Sequence, residues 1–268
     1  MTKKIKIKRI SGLISLFVII IIALSGCDFF YDLIDFFDNN DQYTLLPLEE
    51  YYKEAEGLDG DQLSDFLTEL IGSNVKGLSY AEAKSALAEA DCDPNDPTKV
   101  ITIYSRDRVN AKWDSTSWHR EHVWPNSRLG VRRVGESEIN QASDLHNLRA
   151  IVPRVNSSRG NKVFSNETAA DTYYPGDEDK GDVARILFYM VIRYPELSLV
   201  NEVLPNDPET NYTPEGAKMA VLSCLLMWHQ EDPPDDFERK RNEVIYKWQN
   251  NRNPFIDHPE FVAMIFGD

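Results

Sequence analysis

The sequence predicts a mixed α+β fold in a single domain, and three observations carry that prediction. Apolar residues recur at three- and four-residue spacing in segments toward both ends of the chain, the mark of helices with one buried face. Between those segments, residues 106–165 lack helical periodicity and are rich in Arg, Asn and Trp, as expected of short strands and loops that carry a site. No internal repeat and no Gly/Ser-rich linker divides the chain. Its 268 residues, 42% hydrophobic and 11% aromatic, can build one core.

The N-terminus reads as a processing segment. Lys3, Lys4, Lys6, Lys8 and Arg9 form a basic region, and residues 12–24 are a short apolar run that ends in Leu24-Ser25-Gly26-Cys27. A run of that length suits a signal peptide better than a permanent membrane span. The ending matches a bacterial lipobox, so residues 1–26 are expected to be a lipoprotein signal peptide and Cys27 the lipidated N-terminus of the mature chain. Residues 27–47 then form a tether, leaving 48–268 as the folded domain. The tether's Phe and Leu residues suit a membrane interface, while its acidic residues oppose adhesion to anionic lipid.

Residues 48–58 and 61–71 carry the spacing of two short helices. Ser79-Tyr80-Ala81-Glu82 has the pattern of a capping box and predicts a helix through about Ala90. The alternating acids of residues 91–97 resemble the start of a calcium loop, but the required Gly and terminal Glu are missing, which leaves a turn. Val100-Ile101-Thr102-Ile103-Tyr104 reads as a strand. Residues 182–193 predict a strongly amphipathic helix. Thr213-Pro214-Glu215 predicts a further helix to about Gln230, by an N-cap followed by Pro at the first helical position. Asp232-Pro233-Pro234-Asp235 breaks it, and two more helices are expected over 236–250 and 259–266. With Cys27 lipidated, Cys92 and Cys224 are too few to frame a fold, and Cys224, in an apolar helical pattern, is expected to be a buried free thiol.

Charge is unevenly placed. The formal net charge is −15, and removal of the signal's five basic residues leaves 24 basic against 44 acidic, −20. Residues 100–165 nevertheless hold 11 Lys and Arg against 6 Asp and Glu, or +5. A positive site on an acidic body suits a polyanionic substrate and discourages indiscriminate binding.

Two runs gather the reactive side chains: Trp118-His119-Arg120-Glu121-His122-Val123-Trp124-Pro125, and Asp144-Leu145-His146-Asn147-Leu148 with Val155-Asn156-Ser157-Ser158-Arg159-Gly160-Asn161. A carboxylate, an imidazole, an amide and guanidiniums within about forty residues match metal-assisted cleavage of a phosphodiester. His122 suits a general base, and Glu121 a hard oxygen ligand, or else the pair is a surface Glu and a hydrogen-bonded His. Neighbouring strand residues face opposite sides, so service of one site by both predicts a bend or bulge there. Asn156 could cap a helix or ligate a cation without adding charge. Arg159, one turn on, could grip a phosphate. Arg120, Arg149, Arg154 and Lys162 are either phosphate contacts or surface charge. Zinc held by His119, His122 and His146 is disfavoured by the absence of HExxH or paired-cysteine spacing.

The chain resembles the bacterial endonuclease I family of secreted or periplasmic nucleases. The resemblance lies in Arg120–Pro125, Asp144–Leu148, Asn156–Asn161, Lys180-Gly181-Asp182-Val183-Ala184-Arg185 with Tyr189-Met190, and Asn251–Pro259, in consistent order over about residues 48–262. It implies a ββα-metal (His-Me finger) motif within the mixed helical domain and a non-specific endonuclease acting on DNA and on RNA. It implies His122 as general base, with Glu121 and Asn156 holding one divalent cation, Mg²⁺ or else Mn²⁺ or Ca²⁺, and products with 5′-phosphate ends. Some periplasmic members carry a cysteine-bearing insert with an arginine that contacts the cleaved phosphate. Here that stretch is short and holds Arg128, Arg132 and Arg133, and the choice among them stays open. His146 stands where some relatives have Tyr and is read as supporting structure. The Asn251–Pro259 stretch is expected to finish the fold rather than meet substrate. The expected whole is a lipid-anchored monomer that grips nucleic acid by its backbone. The rivals are an inactive envelope lipoprotein that binds nucleic acid or glycan, and a phosphodiesterase of small nucleotides.

Overall fold

The computed structural model describes residues 45–267; the signal peptide, Cys27 and all but the last three residues of the tether lie outside them. Helix α1 (Leu48–Tyr51) and a 3₁₀ turn (Lys53–Ala55) precede α2 (Gly60–Gly72), whose Leu63, Leu67 and Ile71 recur every fourth residue and are buried. Ser79 and Glu82 do form a reciprocal cap, Ser79 N donating to Glu82 Oε2 at 2.8 Å, ahead of α3 (Ala83–Ala90).

Strands β1 (Cys92–Asp93), β2 (Asp96–Ile101) and β3 (Arg108–Asn110) make a three-stranded antiparallel sheet. The acidic loop is the β1–β2 turn, closed by Asp93 accepting from Asn95 N at 2.9 Å. β2 begins and ends earlier than the β-branched run suggests. Thr102 turns back to Asp107, and Tyr104 adopts φ +69°, which no strand can hold.

The centre of the functional region is short. Strand β4 (His119–His122) pairs antiparallel with β5 (Leu148–Ile151), and α4 (Pro153–Arg159) follows at once, with Pro at its first turn. Gly160, at φ +57°, lets the chain leave α4 in a direction unfavourable to other residues. Two parallel pairs, β6 (Val163–Phe164) with β7 (Thr172–Tyr173) and β8 (Ser198–Val200) with β9 (Lys218–Ala220), brace the remainder.

Helix α5 (Lys180–Arg193) is buried on nearly every side, not amphipathic as its sequence suggests. Its polar residues are spent on interior ion pairs: Asp182 with Arg149 at 2.9 Å, and Arg185 with Glu238 at 2.6 Å. The helix expected from Pro214 also differs. Pro214 opens only a 3₁₀ turn, Lys218–Ala220 is taken by β9, and α6 runs Leu222–Glu231. Helices α7 (Asp236–Gln249), α8 (Pro254–Asp257) and α9 (Glu260–Phe266) complete the fold, a mixed α+β architecture. Among the described residues Cys92 and Cys224 are free, and Cys224 is half-buried rather than fully enclosed.

One core surrounds α5. A second, formed by Leu78, Leu87, Val100, Trp118, Leu145, Leu148, Ala150, Val244 and Ile245, lies against the β4–β5 pair and fixes its position. Among the described residues no helix is long and apolar enough to cross a membrane.

Candidate active site

The β4–β5 register is regular: His119, Arg120, Glu121 and His122 face Ile151, Ala150, Arg149 and Leu148. The bend or bulge expected at Glu121-His122 is absent. A two-stranded pair leaves one edge of β4 free of strand partners, and a cavity of about 590 Å³ is bordered by all four of its residues, from both faces of the strand. Asn156 borders the same cavity from α4, and Arg133 and Asn161 border it from loops. Glu121, His122 and Asn156 therefore share one pocket.

Glu121 is buried, with Oε1 accepting from the Tyr104 hydroxyl at 3.0 Å and lying 3.2 Å from Arg159 Nε. No bond to Oε2 is found among the described residues. Burial outweighs the pull of Arg159 and Tyr104 and raises the carboxyl to about 7. His122 stacks on Tyr80 with ring centres 5.3 Å apart, and its Nε2 lies 2.9 Å from the Ala142 carbonyl. A carbonyl can only accept, so Nε2 carries the proton and Nδ1 holds the free lone pair. Burial first, and Arg120 and Arg159 after it, lower this imidazole to about 4 against the support of Ala142, so it is neutral at neutral pH.

His119, two residues before Glu121 on the same strand face, brings Nδ1 to 3.4 Å from the Asn156 amide nitrogen, while its Nε2 reaches the Ser115 carbonyl at 3.1 Å. With the nitrogen of Asn156 so engaged, its amide oxygen is left for a ligand. Asn156 lies inside α4 rather than at its start, so it is not a cap.

Several basic residues differ from their sequence reading. Arg159 has no exposed surface: it donates to the carbonyls of Val123 at 2.5 Å and Gly160 at 2.8 Å, lies over Phe164 and backs Glu121. It positions Glu121 and is not placed to hold a phosphate. Arg149 is also buried, paired with Asp91 at 3.1 Å and Asp182 at 2.9 Å, because β5 faces the interior there. Arg120 borders the cavity but lies over Tyr80 and pairs with Glu136 at 2.6 Å. Arg154 is exposed beside Asp107 at 3.3 Å, and Lys162 is half-buried with no ion pair among the described residues.

Of the three arginines in the intervening stretch, Arg128 is bonded to the Asn161 and Pro205 carbonyls, and Arg132 pairs with Glu138. Arg133 alone of the three borders the cavity, and it has no ion pair among the described residues. His146 is buried, with Nε2 3.2 Å from the Asn251 carbonyl and its ring against Tyr189, a structural role as read from the sequence. Asn251 and Arg252 are likewise buried within the fold. Sequence reasoning missed Tyr80 and Tyr104. It raised His119 only as a zinc ligand, though strand alternation already placed it beside Glu121.

A family model described as endonuclease I matches residues 59–176 and 165–260. The chain belongs to the endonuclease I family. Membership makes it a nuclease, a hydrolase of phosphodiester bonds. Among its relatives, the extracellular ribonuclease of Bacillus subtilis (strain 168) is 41% identical over 240 residues, covering 81% of this chain and 78% of that protein. The extracellular ribonuclease of Bacillus amyloliquefaciens is 40% identical over 239 residues with the same coverage. An extracellular deoxyribonuclease of Aeromonas hydrophila is 26% identical over 159 residues, 52% of this chain and 59% of that protein.

Proposed function

We propose that this endonuclease I family member is exported and hydrolyses RNA and DNA with the help of one divalent cation, leaving 5′-phosphate ends. The observation that carries the reading is the meeting of Glu121, His122 and Asn156 at one cavity, bordered also by Arg133, which has no ion pair among the described residues. Export accords with the relatives, whose names place them outside the cell, and with the lipobox ending at Cys27. The lipid anchor on Cys27 and the monomeric state are part of the same reading.

His122 Nδ1 accepts the proton of the attacking water, and the Ala142 carbonyl holds the ring in the tautomer that makes this possible. Tyr80 limits rotation of the ring by stacking on it. Arg133 grips a non-bridging phosphate oxygen and positions the phosphorus for in-line attack.

The donor set fits a hard cation. Glu121 is a buried carboxylate whose charge its neighbours do not fully balance, and Asn156 offers a neutral amide oxygen. One carboxylate and one amide oxygen, both hard donors, suit an ion that keeps waters in its shell. Glu121 and Asn156 would hold Mg²⁺ or a similar ion, which when bound supplies charge stabilisation to the phosphate and the departing 3′ oxygen. Arg159 and Tyr104 keep Glu121 in place for that role.

Incubation of plasmid DNA and of ribosomal RNA with the purified chain tests the reading. Cleavage of both in Mg²⁺, its loss in EDTA, and fragments that ligate without prior phosphorylation are expected. Cleavage that persists in EDTA removes the cation from the scheme. An intact plasmid alongside hydrolysed dinucleotides points instead to a small-nucleotide phosphodiesterase.

A further inference from the structure

Beside the catalytic cavity lies a second groove of about 800 Å³, between α3, the loop after β3 and α7. Lys84, Lys112, Lys240 and Lys247 line it, on a chain whose net charge is −15. Two acids stand on its wall: Glu243 pairs with Arg252, and Glu89, which accepts from the neutral Trp248 Nε1 at 2.8 Å, keeps its charge, so the lysines outnumber the unbalanced acids. Lys84 lies 2.9 Å from Glu136, a carboxylate it shares with Arg120. Lys112, Lys240 and Lys247 are exposed and have no carboxylate partner among the described residues. Lys240 and Lys247 stand seven residues apart on α7, on one face and roughly 10 Å apart along the axis.

Trp113 lines both this groove and the catalytic cavity, so the two surfaces adjoin at its ring. Lys84 Nζ lies 4.2 Å from the ring centre, and its partner Glu136 borders the catalytic cavity. The indole N–H meets no acceptor among the described residues. Lysines lining a groove that adjoins the nuclease cavity, with an aromatic ring at the junction, make the two components of a single-strand track. Point cations meet phosphates, and a ring offers a stacking face to any base. Bases within a duplex are already stacked and cannot use that face.

We propose that this groove binds the stretch of single-stranded polynucleotide adjoining the scissile phosphate, its phosphates on Lys112, Lys240 and Lys247 and an unpaired base against Trp113. This rests on the nuclease reading of the neighbouring cavity and adds to it a preference for unpaired substrate. An acidic polypeptide would satisfy the lysines, but it has no use for Trp113 or for continuity with the cleavage site.

The test uses the full chain and a fluorescein-labelled, unstructured 20-nucleotide strand. Its binding is followed by anisotropy in EDTA from 0.05 to 0.3 M salt. Three exposed lysines that each meet a phosphate contribute about 2 to the slope of log affinity against log salt. The triple variant Lys112→Gln/Lys240→Gln/Lys247→Gln should lose that much slope and bind about 100-fold more weakly at 0.1 M salt. Trp113→Ala should weaken the single strand and leave the affinity for a 20-base-pair duplex unchanged. In Mg²⁺ the triple variant should cleave a dinucleotide at the normal rate and the 20-mer slowly.

Unchanged binding of the 20-mer by the triple variant overturns the proposal. So does an equal loss on 20-mer and dinucleotide, or competition by polyglutamate that matches the oligonucleotide and ignores Trp113→Ala. If the unaltered chain cleaves neither substrate, the nuclease reading fails, while the binding data in EDTA still decide the groove.

Discussion

Glu121 carries the site's main electrostatic cost. Its carboxyl, about 7 in the fold, lies above the ordinary value of 4.5 because burial disfavours the charged form. A raised acid holds its proton more tightly when folded, so its contribution to stability is present below about 4.5 and lost as pH rises through 7. In EDTA, the unaltered chain should therefore lose melting temperature between pH 5 and pH 8 relative to Glu121→Gln. Added Mg²⁺ at pH 8 should restore it in the unaltered chain and not in the variant. A parallel pH response of both proteins in scanning calorimetry would count against the cation. Because proton and cation compete for this carboxylate, the acid limb of activity should fall near pH 7 and move lower as Mg²⁺ is raised. His122, near 4, should not set that limb.

Tyr104 and Arg159 touch Glu121 without facing substrate. Tyr104→Phe removes one bond to Oε1 and should raise the Mg²⁺ concentration needed for half-maximal activity several-fold, with the rate at saturation largely kept. Arg159→Ala strips a buried carboxylate and two carbonyls of their partner and should cost about 3–5 kcal/mol of stability by urea unfolding. A loss of catalysis with stability unchanged would instead give Arg159 a direct part in the reaction.

At the scale of elements, the β4–β5 pair and α4 depend on Asp91, which caps the strand from behind. Its carboxylate accepts from Ala150 N at 2.6 Å and meets Arg149 at 3.1 Å and Arg241 at 2.8 Å, all out of solvent. Asp91→Ala should leave two buried guanidiniums short of a partner and lower stability by about 3–5 kcal/mol, visible as a fall in melting temperature. Elements with ordinary periodicity were legible in the sequence: α2, the capped α3 and α7 stand close to where spacing and caps put them. What failed to show was set by distant partners. Lys218–Ala220 reads as part of a helix until Ser198–Val200 pairs with it, and α5 reads as half-exposed until Asp182 and Arg185 find charges inside. The site divides the same way. Glu121, His122 and Asn156 could be named from their chemistry, but the burial of Arg149 and Arg159 and the approach of Tyr80 and Tyr104 depend on packing that no local pattern encodes.

Over the whole molecule the net charge is −15, so the grip on nucleic acid falls to a few cations without a carboxylate partner among the described residues, Arg133 at the cavity and Lys112, Lys240 and Lys247 in the groove beside it, and this has a kinetic consequence. Cleavage of long nucleic acid should weaken steeply with added salt, since counterions compete for the same phosphate contacts, while cleavage of a dinucleotide should respond far less. Equal salt dependence for both would mean that little of the protein beyond the cleavage site meets the substrate. The central claim is that His122 is the base of a single site formed with Glu121 and Asn156. Single-turnover cleavage of a labelled oligonucleotide by His122→Ala, at saturating Mg²⁺, tests it most directly. A rate lower by about 10² to 10⁴, with oligonucleotide affinity unchanged, is predicted. A rate close to that of the unaltered chain would contradict it.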